Sequence, residues 1–111
     1  MDLAGDCYGL TKGFPKEEVF GLTSQIRRSA ASVAANIAEG HGRDATGAYV
    51  NHLKIAQGSL KELETHLILS VRVGLLVEKD AESAMRQADD IGKMLRSLIR
   101  TLQDGRHERD D

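Results

Sequence analysis

Apolar residues recur at steps of three and four along three stretches of this chain, and that spacing constrains the fold more than any other feature. Over residues 15–43 the seam is Val19, Leu22, Ile26, Ala30, Val33 and Ile37. Past residue 44 it is Tyr49, Leu53, Ala56, Leu60, Leu63, Leu67 and Val71, and over 80–103 it is Ala84, Ala88, Ile91, Leu95, Leu98 and Leu102. A period near 3.6 puts each set on one face of a helix. Three such seams joined by short connections predict antiparallel packing. Residues 2–12 add a short helix through Leu3, Cys7 and Leu10, weakened by Gly5 and Gly9 at about 1 kcal/mol each. The expected fold is all-α, an antiparallel up-and-down four-helix bundle with a short first helix. Its core must be aliphatic, because the chain has two Phe, two Tyr and no Trp. A single proline and the lack of alternating β-branched runs argue against strands.

The stretch 15–43 reads as one long helix with three faces. Pro15 suits a first helical turn, and Glu17 and Glu18 place negative charge at the positive end of the dipole. Gly40-His41-Gly42 is the expected stop, through a left-handed glycine. Beside the apolar seam, Ala31, Ala34, Ala35 and Ala38 form a face of small side chains that a neighbouring helix can approach. The third face is a polar ladder, Gln25, Ser29, Ser32, Asn36 and Glu39, at steps of 4, 3, 4 and 3. Such a ladder is either a solvated edge or a hydrogen-bonded network between helices or subunits that fixes register. Phe14 is placed to staple onto the first turn.

Asp44 is a candidate N-cap for the next helix, and Gly74 marks its end. Ile55, Leu69 and Val73 lie on its side opposite the seam, interleaved with Glu62 and His66. A helix apolar on two sides needs cover on two sides, so these five positions are the expected oligomer interface. On the last helix Glu82 precedes Arg86 and Asp89 precedes Lys93 by four, the favourable order for helical ion pairs. With Arg96 and Arg100 near the C-terminal end of the dipole, that face reads as solvated. The expected division is a bundle over 1–103 and a charged, disordered tail over 104–111.

The formal charge of −2 sits in that tail: residues 1–103 carry 13 basic and 13 acidic side chains, and 104–111 carry 2 and 4. A neutral body lacks the broad basic footprint of a strong nucleic-acid binder. The candidate phosphate contacts are Arg27, Arg28, Arg43, Lys54 and Lys61, which a ring of subunits would multiply. Cys7 is alone, which rules out an internal disulfide or a multi-cysteine zinc site. With no signal-like segment and no apolar run of membrane-spanning length, a cytoplasmic location is expected, with no membrane contact.

No catalytic constellation emerges. Di-iron bundles need Glu-x-x-His pairs, but Glu62 and His66 are four apart and no second pair exists. His41 and His52 have no nucleophile and acid at a recognisable spacing, and Gly40-His41-Gly42 lacks the strand-then-helix context of a phosphate loop. No enzyme, metal or cofactor is expected.

The segments FPKEE, SQIRR, AANIAEG, Arg43 and GSLKELE, within a match from about Tyr8 to Leu102, resemble a known family. This is the family of small four-helix bundle proteins encoded in intervening sequences of bacterial 23S rRNA genes. The resemblance implies a homopentamer without assigned enzymatic activity. A related branch, the accessory variability determinant proteins of diversity-generating retroelements, is markedly basic and binds nucleic acid and a reverse transcriptase. Two departures stand out. Relatives have a longer first helix, so either the native start lies upstream of Met1 or one bundle edge is less covered here. Relatives often carry an acid where this chain has Ala48. Two functional readings follow: an oligomeric scaffold that contacts RNA or DNA through the named cations, or an accessory module for a protein partner.

Overall fold

The computed structural model describes residues 2–110, with side chains described for 3–105. Its elements are α1 (Asp2–Thr11), a 3-10 turn over Lys16–Glu18, α2 (Leu22–His41), α3 (Thr46–Arg72) and α4 (Glu78–Asp110). Helix α1 packs on α2 and α4, and α3 packs on α2 and α4, so the helices run α1–α2–α3–α4 around a ring. This is the expected all-α four-helix bundle with a short first helix. It measures 55 × 22 × 18 Å, the long dimension set by α4, whose 33 residues span about 50 Å at 1.5 Å per residue.

The seams pack as their spacing implies. Ile26, Ala30 and Val33 of α2, Leu53, Ala56, Leu60, Leu63 and Leu67 of α3, and Ala84, Ala88 and Leu95 of α4 are buried, together with Leu3, Cys7 and Phe14. Leu22, Ile37, Tyr49, Ile91, Leu98 and Leu102 are only partly buried. The difference has a measurable consequence. Leu60 is 3% exposed, so Leu60→Ala is expected to cost about 2–5 kcal/mol. Half-buried Leu98 removes less area from water, and Leu98→Ala should cost about 1–2 kcal/mol. Equal shifts in urea midpoint for the two variants would contradict this packing.

Several helix boundaries differ from the sequence expectation. The long helix does not start at Pro15: Lys16–Glu18 form a separate 3-10 turn and α2 begins at Leu22. The Glu18 carboxylate accepts the Leu22 N–H at 3.3 Å, so the acid expected to face the dipole does so one turn later. Val19 is consequently exposed and leaves the seam. At the other end no left-handed glycine stops α2. Gly42 has φ −83° and ψ 0°, within the right-handed region, and Gly40 and His41 are helical. For α3 the N-cap is Ala45 and not Asp44.

The end of α3 does use a left-handed glycine. Gly74 has φ 83°, its N–H bonds Val71 O at 3.1 Å, and Leu75 N–H bonds Ser70 O at 2.9 Å. That pair of bonds is the Schellman arrangement. Helix α4 passes Gln103, its expected end, and its backbone stays helical to Asp110. Of the segment expected to be a disordered tail, Asp111 and the side chains from 106 onward lie outside the described residues.

Candidate functional site

The polar ladder of α2 faces α3, because its positions flank the buried seam on that side. His52 Nδ1 donates to Asn36 Oδ1 at 3.1 Å. Asn36 Nδ2 donates to Ser32 O at 2.9 Å and to Ser32 Oγ at 3.2 Å. Ser32 Oγ lies 2.7 Å from Ser59 Oγ. Either serine hydroxyl can donate to the other, and the four side chains form one connected chain between the helices. Both the neutral Nδ1–H form of His52 and the imidazolium can start that chain. Replacing Asn36 by alanine removes its centre and is expected to cost about 1–3 kcal/mol, read as a shift in urea midpoint.

The rest of the ladder is placed differently. Gln25 and Ser29 join Arg28, Ser32, Ser59 and Glu62 around a groove of about 240 Å³ on the outer side of the α2–α3 pair. Glu39 pairs with Arg43 at 3.2 Å, an exposed contact one helical turn apart. So the ladder is a network at its centre, a groove lining at one end and a surface ion pair at the other. The sequence offered His52 only as a catalytic candidate and Ser59 for no role, although their seven-residue spacing, continued by His66, already marks a polar stripe on α3.

The candidate phosphate contacts do not converge. Adjacent residues on a helix point about 100° apart, and this separates Arg27 from Arg28. Arg27 turns toward α1: its Nε donates to Thr11 Oγ1 at 2.8 Å, and its guanidinium lies 4.7 Å from the centre of the Tyr8 ring. Arg28 borders the α2–α3 groove instead, and Arg43 is held by Glu39. Lys54 and Lys61 share a third location, a groove of about 410 Å³ between α3 and α4 that also contains Arg96, Glu64 and Asp89.

Arg27 therefore fastens α1. Thr11 Oγ1 in turn donates to Cys7 O at 2.9 Å, which links the fastening to a buried thiol. Burial pushes the Cys7 pKa up to about 11, with the Asp6 carboxylate adding to the effect. The thiol is protonated at neutral pH and shielded, so it should react slowly with maleimide while α1 is docked. Arg27→Ala is expected to accelerate labelling at least about tenfold, since one charged hydrogen bond and one cation–π contact are together worth about 2 kcal/mol or more. Unchanged labelling would mean that Arg27 does little to hold α1 in place.

The expected oligomer-interface positions sit on the outer surface of α3. Ile55, Leu69 and Val73 are exposed, Val73 at 58%, and Ile68 and Val77 beside them are exposed as well. Glu62 is exposed and His66 half-buried. His66 Nδ1 is shielded from solvent with no hydrogen-bond partner among the described residues, and Thr23 Oγ1 is in the same state. Ala31, Ala35 and Ala38 are also exposed. Among the described residues no three or more His, Cys, Asp or Glu side chains group as a metal site, and no helix is long and apolar enough to cross a membrane. The ion pairs among them are Arg43–Glu39 and Lys93–Asp89. The latter is the expected pair on α4, while Glu82 and Arg86 stay apart.

The fold has a counterpart among known proteins. No curated protein matches the chain. A solved structure from Bacteroides thetaiotaomicron, a protein of unknown function from the S23 ribosomal protein family, superposes with a TM-score of 0.76 at 28% identity. The match covers 86% of this chain and 87% of that one. The family model for the 23S rRNA-intervening sequence protein matches residues 1–97. With this match over most of its length and a fold shared with that bundle, the chain belongs to the 23S rRNA-intervening sequence protein family.

Proposed function

We propose that this protein is a non-enzymatic, cytoplasmic, self-associating scaffold whose copies pack on the outer face of α3, as the homopentamer implied by its resemblance would require. The observation that carries this reading is the exposed row Ile55, Leu69 and Val73, with Ile68 and Val77 alongside. Isolated surface leucines are ordinary, but aligned apolar side chains on one helix face mark an interaction surface. The unpartnered His66 Nδ1 borders the same row, and a shielded polar atom of this kind costs about 1–3 kcal/mol unless something supplies its bond. Sedimentation velocity across a concentration series, at low and high salt, tests the idea. Apolar association persists as salt rises. A monomer under every condition would end it.

A second reading, nucleic-acid contact, has one favourable observation: Lys54, Lys61 and Arg96 converge on a single groove. Two carboxylates, Glu64 and Asp89, share that groove, and Arg27 and Arg43 are engaged elsewhere. The scaffold reading is therefore preferred. Anisotropy with structured RNA and mixed DNA across a salt series separates the two. Phosphate contacts give affinity that falls steeply with salt, and Lys54→Ala/Lys61→Ala should then flatten the slope. Arg27→Ala is a poor probe here because it also loosens α1.

A further inference from the structure

Phe20 is the barest large apolar side chain among the described residues, 94% exposed, with half-exposed Val19 beside it. It does not hang on a loose loop. Val19 N–H bonds Lys16 O at 3.1 Å, Gly21 N–H bonds Glu18 O at 3.0 Å, and Gln25 N–H bonds Gly21 O at 3.0 Å. With Glu18 also capping Leu22, the backbone of the turn is tied on both sides and carries the exposed ring as a knob. Full exposure of a phenyl ring leaves much of its 150–250 Å² in water.

The same chain carries a hole of suitable size and chemistry. Between the end of α3 and the start of α4 lies a mainly apolar groove of about 450 Å³, lined by Leu67, Ile68, Val71 and Met85 together with two arginines, Arg72 and Arg86, and two carboxylates, Glu78 and Glu82. That is ample for one phenyl ring and part of Val19. Arg72 and Arg86 can meet an aromatic face, whose quadrupole attracts cations, and Glu78 and Glu82 can meet the positive ring edge.

Their positions relate in a particular way. The helices run in ring order, so the α1–α2 edge that bears Phe20 is opposite the α3–α4 edge that bears the groove. Because α2 and α3 are antiparallel, the start of α2, the end of α3 and the start of α4 share one end of the bundle. Knob and hole thus stand level on opposite edges, and the knob cannot reach the hole of its own chain. We infer that the Phe20 turn of one copy seats in the α3–α4 groove of the next, which makes self-association head-to-tail. This rests on the scaffold reading and names the contact within it. A head-to-tail contact of this kind propagates, closing into a ring or extending as a filament. Leu69 and Val73, next to the groove on the same outer surface of α3, extend the acceptor side.

Complementation tests the inference. Phe20→Glu removes the knob and keeps the hole, while Ile68→Glu blocks the hole and keeps the knob. Both positions are exposed, so both variants should stay folded by circular dichroism. Each alone is expected to sediment as a monomer. Mixed one to one, they should form a heterodimer and nothing larger, since one intact knob then meets one intact hole. A mixture that stays monomeric, or a Phe20→Glu variant that assembles to wild-type size, overturns the knob-and-hole contact and leaves the scaffold reading standing. A wild-type monomer removes both. Should Ile68→Glu misfold, Val19→Cys/Arg72→Cys in one chain, which keeps both Phe20 and Ile68, gives an independent answer. Mild oxidation should yield a ladder of covalent multimers, with buried Cys7 staying out of the reaction. No ladder from a sample that still assembles counts against the contact.

Discussion

Replacing Gly40 by valine is expected to lower the thermal midpoint by about 10–20 °C, since a loss of about 3 kcal/mol shifts a domain of this size by several degrees per kcal/mol. The reason is the approach of α2 to α3 at this residue. A Cβ built on Gly40 would lie 3.0 Å from His52 Cβ, 3.2 Å from Tyr49 Cδ1 and 3.3 Å from Tyr49 O. Two of those three atoms are backbone or directly attached to it, so no rotamer change relieves the contact. The helices must move apart. Alanine at this position gains about 1 kcal/mol of helix propensity, which offsets part of the overpacking, and its net effect should be small. Valine adds two methyl groups to the clash and forfeits most of that gain. The displaced His52 would also lose its bond to Asn36. A Gly40→Val protein that melts with the wild type would show that the helices are not this close.

The double substitution Leu69→Glu/Val73→Glu should weaken self-association by at least about 100-fold, because each carboxylate must be desolvated on entering an apolar contact. Both side chains are exposed in the single chain, so the fold itself should be affected by about 0.5 kcal/mol or less. Sedimentation would then report smaller species while circular dichroism stays unchanged. The pairing of those two readouts matters. Loss of assembly together with loss of helix would indicate a folding defect, and neither change would show that the outer face of α3 is free in the assembled protein.

The seams were legible because burial by a periodic apolar face is a property of many residues at once, and an error at Val19 leaves Ile26, Ala30 and Val33 in place. The boundaries were less legible because each depends on one or two residues with more than one use. Pro15, Glu17 and Glu18 carry the signals of a helix start and do build a helical turn, yet the chain breaks at Gly21 before α2 begins. Gly40 looked like a terminator, whereas its missing side chain serves close packing inside the helix. The cation set failed to converge for a geometric reason: Arg27 and Arg28 are neighbours in sequence and point to different helices. The polar ladder was visible, but its partners His52 and Ser59 come from a stripe on α3 whose meaning appears only when the two helices are set side by side.

The ring order of the helices also bears on how the chain reaches its fold. Helix α3 touches both α2 and α4, its neighbours in sequence, through short connections, so these hairpins close small loops and can form early. The contact of α1 with α4, marked by the Gln87 Nε2 donation to the Asp6 carboxylate, joins segments from opposite parts of the chain. Its loop-closure entropy is larger, by about 0.6 kcal/mol for each doubling of the loop. A chain that arranges its contacts in this way should form its sequential helix pairs first and close the α1–α4 edge last. Substitutions at the Asp6–Gln87 contact should then leave the refolding rate nearly unchanged and quicken unfolding, whereas those at the α2–α3 contact should slow refolding itself.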